Sequence, residues 1–219
     1  MEEKTVKWRI FAILFAISIT SAHHASAQNN ELSSVRKNEL SGALGRTFVS
    51  NQGIVGSPGF ELRFGNGLSF EINYARLLRS SNVFGLRAEI PFVVNPDQDL
   101  HAALPNRIPE QYRSFMAAPS ARVNFFPDSA VSPWVSFGGG FAHFSESSTL
   151  LFGGKNTGPT GTTTSVVQGG FGLDVKLVKS FTLRGEVRDF WTGVPQLGVN
   201  TGKTRQHNYF VGSGIMWRF

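Results

Sequence analysis

Cysteine is absent from this chain of 219 residues. That absence excludes a disulfide scaffold, a thiolate metal site and a cysteine nucleophile. Charge is scarce, at 16% of residues, and the formal net charge is only +6. So mild a bias is a weak argument for nucleic acid, and no nucleic-acid partner is expected. The Ala, Glu, Lys and Leu abundance of a long-helix protein is missing too. In its place stand 20 Phe and 24 Gly. Long apolar runs are lacking: the clearest, Ile10 to Thr20, is 11 residues. A membrane-crossing helix needs roughly 20. What is present is 41% hydrophobic and 12% aromatic residues, spread evenly along the chain. That excludes disorder over most of the length and suits one complete domain.

The first residues have the three-part layout of an export signal. Lys4, Lys7 and Arg9 form a basic head, the short apolar run follows, and Ala25-Ser26-Ala27 is a small-residue cleavage site. Residues 1–27 are therefore read as a cleaved secretory signal peptide, 28–38 as a polar periplasmic leader and 39–219 as the folded domain. Without 1–27 the chain keeps 18 basic and 13 acidic residues.

Beyond the leader, apolar residues recur every second position, which is the strand period. Counting back from the end, Phe219, Trp217, Ile215, Ser213, Val211 and Tyr209 form one face. Arg218, Met216, Gly214, Gly212, Phe210 and Asn208 form the other. The same alternation runs through Phe70–Tyr74, Phe84–Phe92, Val167–Val175 and Phe181–Val187. In a soluble sandwich the apolar face would point inward; in a membrane barrel it meets lipid and the polar face fills the interior. Small residues and charges of both signs on the polar faces favour the barrel, as do aromatics at strand ends.

Strands are expected near 39–49, 59–78, 83–94, 113–125, 133–145, 163–177, 181–191 and 207–219. The connections then alternate between short (Arg79–Asn82, Pro127–Ser132, Val178–Ser180) and long (Asn95–Tyr112, Glu146–Thr162, Thr192–Gln206). Short turns on one side and long loops on the other is the layout of an outer-membrane barrel. Asn66-Gly67 within Gly65-Asn66-Gly67 is a hairpin signal. One long strand with a bulge is preferred there, because Phe60, Leu62, Phe64, Leu68, Phe70 and Ile72 keep one parity. The expected fold is all-β: a transmembrane up-and-down antiparallel barrel of eight strands, periplasmic turns short and extracellular loops long.

These residues carry a resemblance. The terminal YFVGSGIMWRF, PWVSFGGGFAHF and GGFGLDVKLVKSFTLRGEVRDFW resemble the outer-membrane protein β-barrel domain family, the small OmpA/OmpX/opacity-type barrels. The likeness covers about residues 38–219. It implies residence in a Gram-negative outer membrane, among lipid and lipopolysaccharide, as a monomer without cofactors. It also implies that the barrel-assembly machinery reads the last strand through Tyr209, Val211, Ile215, Trp217 and Phe219. The chain departs from OmpA in ending at this strand.

The polar faces would place Glu71, Arg87, Glu89, Arg122, Asp174, Lys176, Arg184, Glu186, Arg188 and Arg218 in the lumen. An eight-stranded barrel is only wide enough for side chains to fill it, so these charges should pair into a plug. A small channel is the competing reading of the same set. His143 and Ser145, two apart on a strand, share a face, so the imidazole would be placed to activate the hydroxyl. This resembles the His-x-Ser of the lipid A deacylases, which follow the Ser with Asn and place an acid on the adjoining strand. Here Glu146 follows, and the next acid is Asp174. The preferred reading is non-enzymatic. His101 with Asp97 and Asp99 is not expected to form a metal site. Trp134 and Trp191 are read as interface anchors. The expected role is structural or surface contact, with recognition on the loops.

Overall fold

The computed structural model describes residues 36–103 and 107–219. The signal peptide and most of the leader lie outside the described residues. Among the described residues no helix is long and apolar enough to cross a membrane, a statement that leaves strands open. The strands are β1 (Asn38–Val49), β2 (Gln52–Gly53), β3 (Glu61–Phe64), β4 (Gly67–Ser80), β5 (Phe84–His101) and β6 (Gln111–Ala117). They continue with β7 (Ser120–Phe125), β8 (Val131–Glu146), β9 (Gly161–Lys176), β10 (Phe181–Gly193) and β11 (Arg205–Arg218).

All pairings are antiparallel, and β11 returns to β1, so the sheet closes on itself. β6 and β7 are halves of one wall. Each pairs β5 on one side and β8 on the other, in a single register. The ladder breaks between them at Pro119, which has no N–H to donate. The ring therefore has 8 walls.

Gly65-Asn66 is not a hairpin. β3 and β4 both lie along β5, with Phe64 opposite Leu100 and Phe70 opposite Val94. The six apolar residues nonetheless do not share one face as expected. Leu62 and Phe64 are buried, whereas Leu68, Phe70 and Ile72 face outward. An irregularity flips the faces on both strands at the same height. On β5, Asn95 and Gln98 are both buried across Pro96-Asp97. The Gly65 N–H donates to the Asp99 carbonyl at 3.0 Å, and the Gln98 amide donates to the Gly65 carbonyl.

The connections at one end are 81–83, 126–130 and 177–180; those at the other include 102–110, 147–160 and 194–204. Much of the expected loop Asn95–Tyr112 is strand, because β5 runs on to His101 after its flip. The Asn38 and Phe219 backbones exchange hydrogen bonds of 3.0 Å, so the two ends of the barrel chain meet at the short-turn end.

The outer surface is apolar. Phe137 is 69% exposed, Ile72 61% and Phe171 60%. The interior has two storeys. Towards the short turns it is charged. Towards the long loops it is uncharged for the most part and holds an apolar cluster, with Met116, Ala142, Phe144, Val166, Phe190 and Phe210 facing in. The expectation of a polar interior thus holds in full for the lower storey; in the upper one Gln52, Gln206, Asn208 and Thr192 form a buried hydrogen-bonded chain beside the apolar cluster. Above the lower storey, Phe64, Tyr112 and Phe144 pack edge to face, with centroids 6.4 and 5.7 Å apart. Leu62, Leu100, Ile108 and Leu197 cap that core from the strand extensions and loops.

Candidate functional site

The lower storey is an ion-pair lattice to which every wall but β8 supplies a charged side chain. Glu39 of β1 is its hub on one side. Its Oε1 accepts from Arg218 at 2.8 Å and lies 3.2 Å from Arg87; its Oε2 pairs with Arg122. Glu89 of β5 bridges the centre, 3.1 Å from Arg122 and 2.8 Å from Arg188. Arg188 of β10 also reaches Glu71 at 3.1 Å and Glu186 at 3.0 Å. Arg184 forks onto Asp174 of β9 through two donors, at 2.8 and 2.9 Å. Two-point contacts of this kind fix geometry as well as charge.

Neutral groups link the pairs. Arg122 donates to Asn124, whose amide donates to Asp174 at 3.1 Å. Asn73 donates to Glu89 at 2.9 Å. At the centre stands Trp134 of β8, 1% exposed. Three guanidiniums lie over its ring: Arg188 at 5.0 Å, Arg184 at 5.2 Å and Arg122 at 5.7 Å. Such contacts strengthen when desolvated. Gly172 makes the room. A Cβ there would meet the Trp134 ring at 2.5–2.7 Å.

The lattice joins Glu71, Arg87, Glu89, Arg122, Asp174, Arg184, Glu186, Arg188 and Arg218. Lys176 is corrected: it is half-buried at the lumen mouth and takes no part in these ion pairs. Glu39 and Trp134 are the members sequence reading missed. Parity carried the signal for both. Glu39 shares a face with Ser41, Ala43 and Thr47, and Trp134 with Ser132 and Ser136. Trp134 is therefore not an interface anchor. Trp191 is exposed, stacked on His207 at 6.0 Å with Arg205 4.8 Å above its ring.

His143 and Ser145 stand together on the outer face of β8. The arrangement stops short of a triad. The His143 Nδ1 is bonded to Thr163 Oγ1 of β9 at 2.8 Å, where an acid would sit. On the other side, β6 puts Phe115 opposite His143 and Arg113 opposite Ser145. Glu146 points inward and accepts from the Gln196 backbone at 2.9 Å. Asp174 is occupied by Arg184 at the far end of β9. An imidazole backed by a neutral hydroxyl rather than a carboxylate is a poorer base for a serine. Ser145→Ala is expected to leave lipid A unchanged; a Ser145-dependent loss of one acyl chain by mass spectrometry would show the opposite.

Beside Ser145 and Glu146 a polar cleft of about 340 Å³ opens at the rim, lined also by Gln111, Arg113, Ser148 and Thr160. Asp97, Asp99 and His101 are exposed on one face of β5. No group of His, Asp or Glu placed to hold a metal occurs among the described residues. Tyr209, Val211, Ile215, Trp217 and Phe219 form the exposed outer stripe of the last strand.

No protein-family model matches the sequence, and neither does any curated protein. Solved structures do. Neisserial surface protein A superposes with a TM-score of 0.52 at 13% identity, covering 83% of this chain and 97% of its own. The outer membrane protein OprG from Pseudomonas aeruginosa gives 0.57 at 14%, covering 84% and 96%. The outer membrane enzyme PagL matches at only 0.41 and 13%, covering 80% and 97%, too distant to bear on chemistry. At such identities the likeness is one of fold. The closed ring, its inverted faces and these superpositions agree: this chain has the fold of the small OmpA/OmpX-type outer-membrane barrels.

Proposed function

We propose that this is an integral outer-membrane barrel with a structural or surface-contact role, a closed lumen, and recognition confined to its long loops. One observation supports this most: a charged lattice tied into all the walls lies inside a ring whose outer face is apolar. Lipid covers the outside and lipopolysaccharide the loop end. The barrel-assembly machinery reads the β11 stripe, and the protein works as a monomer. The short turns then face the periplasm and the export signal delivers the chain there. The polar cleft beside Glu146 is where a small hydrophilic group would settle from outside.

The lattice argues against conduction. An eight-stranded ring has room only for its side chains, and Arg122, Arg184, Arg188 and Trp134 are among the largest fully buried ones. In planar bilayers the folded protein is expected to give no large, steady conductance. It should fractionate with the outer membrane and migrate faster unheated than boiled. Reproducible porin-sized steps would overturn the closed lumen, and recovery as a soluble periplasmic protein would overturn the whole reading.

A further inference from the structure

The net positive charge of this protein is not spread over it. Inside, each carboxylate of the lattice is matched by a guanidinium, so the lumen is close to neutral. At the long-loop end Glu61, Asp97, Asp99, Glu110 and Asp189 offset most of the basic side chains. The surplus gathers at the short-turn end. Arg36, Lys37, Arg76, Arg79 and Lys179 are all exposed there.

These residues form one arc rather than a ring. Asn38 pairs with Arg76, and the Leu77 N–H donates to the Lys37 carbonyl at 2.7 Å, which sets β1 against the end of β4. Arg36 donates to the Lys179 carbonyl at 3.2 Å and to the Ser180 hydroxyl, which sets it against the turn before β10. The arc therefore runs from β4 across β1 and β11 to β10, over the seam where the ring closes. Among the described residues the acid nearest the seam, Glu39, is turned inward and held by three arginines. Asp128 sits in the turn between β7 and β8, across the barrel.

Immediately above the arc the outer face is apolar and aromatic. Leu40, Tyr74, Trp217 and Phe219 are exposed, with Trp217 and Phe219 stacked at 4.5 Å. Cationic side chains just beyond an aromatic girdle reach the headgroup layer, where their charge meets phosphate and their stems lie along the chains. We infer that the β4–β1–β11–β10 arc is a binding site for anionic phospholipid of the periplasmic leaflet. Phosphate is held by Arg36, Lys37, Arg76, Arg79 and Lys179, and the acyl chains lie on Leu40, Tyr74 and Trp217. The lipid straddles the closing seam.

This inference rests on the membrane reading, and Trp217 reports on it directly. The Trp191→Phe protein, purified from membranes, is reconstituted into vesicles of phosphatidylcholine and phosphatidylglycerol. In one set only the first lipid is brominated, in the other only the second. Trp134 is shielded in the lumen, so quenching reads the lipid at Trp217. Brominated phosphatidylglycerol is expected to quench as if enriched roughly fivefold at low ionic strength, the scale of one engaged basic group. Salt should shrink the preference. Substituting the arc residues by Gln should abolish it; substituting Arg76 and Arg79 by Lys, or Lys155 and Lys203 in the loops by Gln, should not. Equal quenching by both lipids, or a preference that survives the Gln variants, overturns the inference. So does saturable binding of soluble peptidoglycan fragments to the arc with no lipid preference. Absence of quenching by either lipid is a different failure, that of the membrane reading itself.

Discussion

Arg188→Ala is expected to destabilise the folded barrel by about 3–5 kcal/mol, the loss typical when one partner is removed from a buried ion pair. The side chain is wholly buried and touches Glu71, Glu89 and Glu186 at 2.8–3.1 Å. Glu89 retains Arg122 at 3.1 Å after the substitution. Glu71 and Glu186 retain no cation at these distances and stay buried. The ring of Trp134 also loses the nearest of its three cations. Urea unfolding in lipid vesicles, followed by tryptophan emission, measures the difference. Arg188→Lys should recover only part of it, because a compact ammonium cannot reproduce a planar fork aimed at several acids. An Arg188→Ala midpoint equal to wild type would mean the lattice is hydrated and contributes little. By contrast, replacing Arg184 and Asp174 together by Leu should cost less than either single change, since no charge is left without its partner.

Parity made the barrel legible. On β11 the outward stripe Tyr209, Val211, Ile215, Trp217 and the inward stripe Asn208, Phe210, Met216, Arg218 stand apart in the sequence and in space. The lattice followed from the same rule, because a charge on the inward parity of a narrow ring has nowhere else to go. The rule fails where strands slip. A two-residue irregularity at Gly65-Asn66 turned Leu62 and Phe64 from the outer face to the inner one. The apolar cluster of the upper storey was hidden for that reason, and because Phe144 and Phe190 look like lipid-facing residues until their parity is counted. Trp134 was misplaced by residue type overriding position. The missing acid beside His143 was legible only in part. Sequence shows that Glu146 must point away, but pairing of β8 with β9 is needed to see that Thr163 fills the place.

Phe171→Arg is expected to cost about 2–4 kcal/mol, the measured scale for a cation on the lipid face at mid-membrane. Phe171 lies opposite Val135 on one side and Val187 on the other, a continuous apolar belt well inside β9. Ile215→Arg should follow with a smaller loss, because Ile215 stands nearer the short-turn end of β11, where the side chain can reach headgroups. The control is Gly161→Arg on the outer face of the same strand at the loop rim. A Cβ there meets nothing closer than His143 Cε1 at 3.8 Å, and the penalty should fall to about 0–1 kcal/mol. The side chain introduced is the same in all three, and its depth sets the order expected. On a soluble barrel the order would vanish, since an exposed arginine is close to neutral wherever it sits on a wet surface. Urea midpoints in vesicles that rank Phe171→Arg lowest, Ile215→Arg next and Gly161→Arg beside wild type place this surface in lipid. Indistinguishable midpoints would take it out of the membrane, and the outer-membrane reading with it.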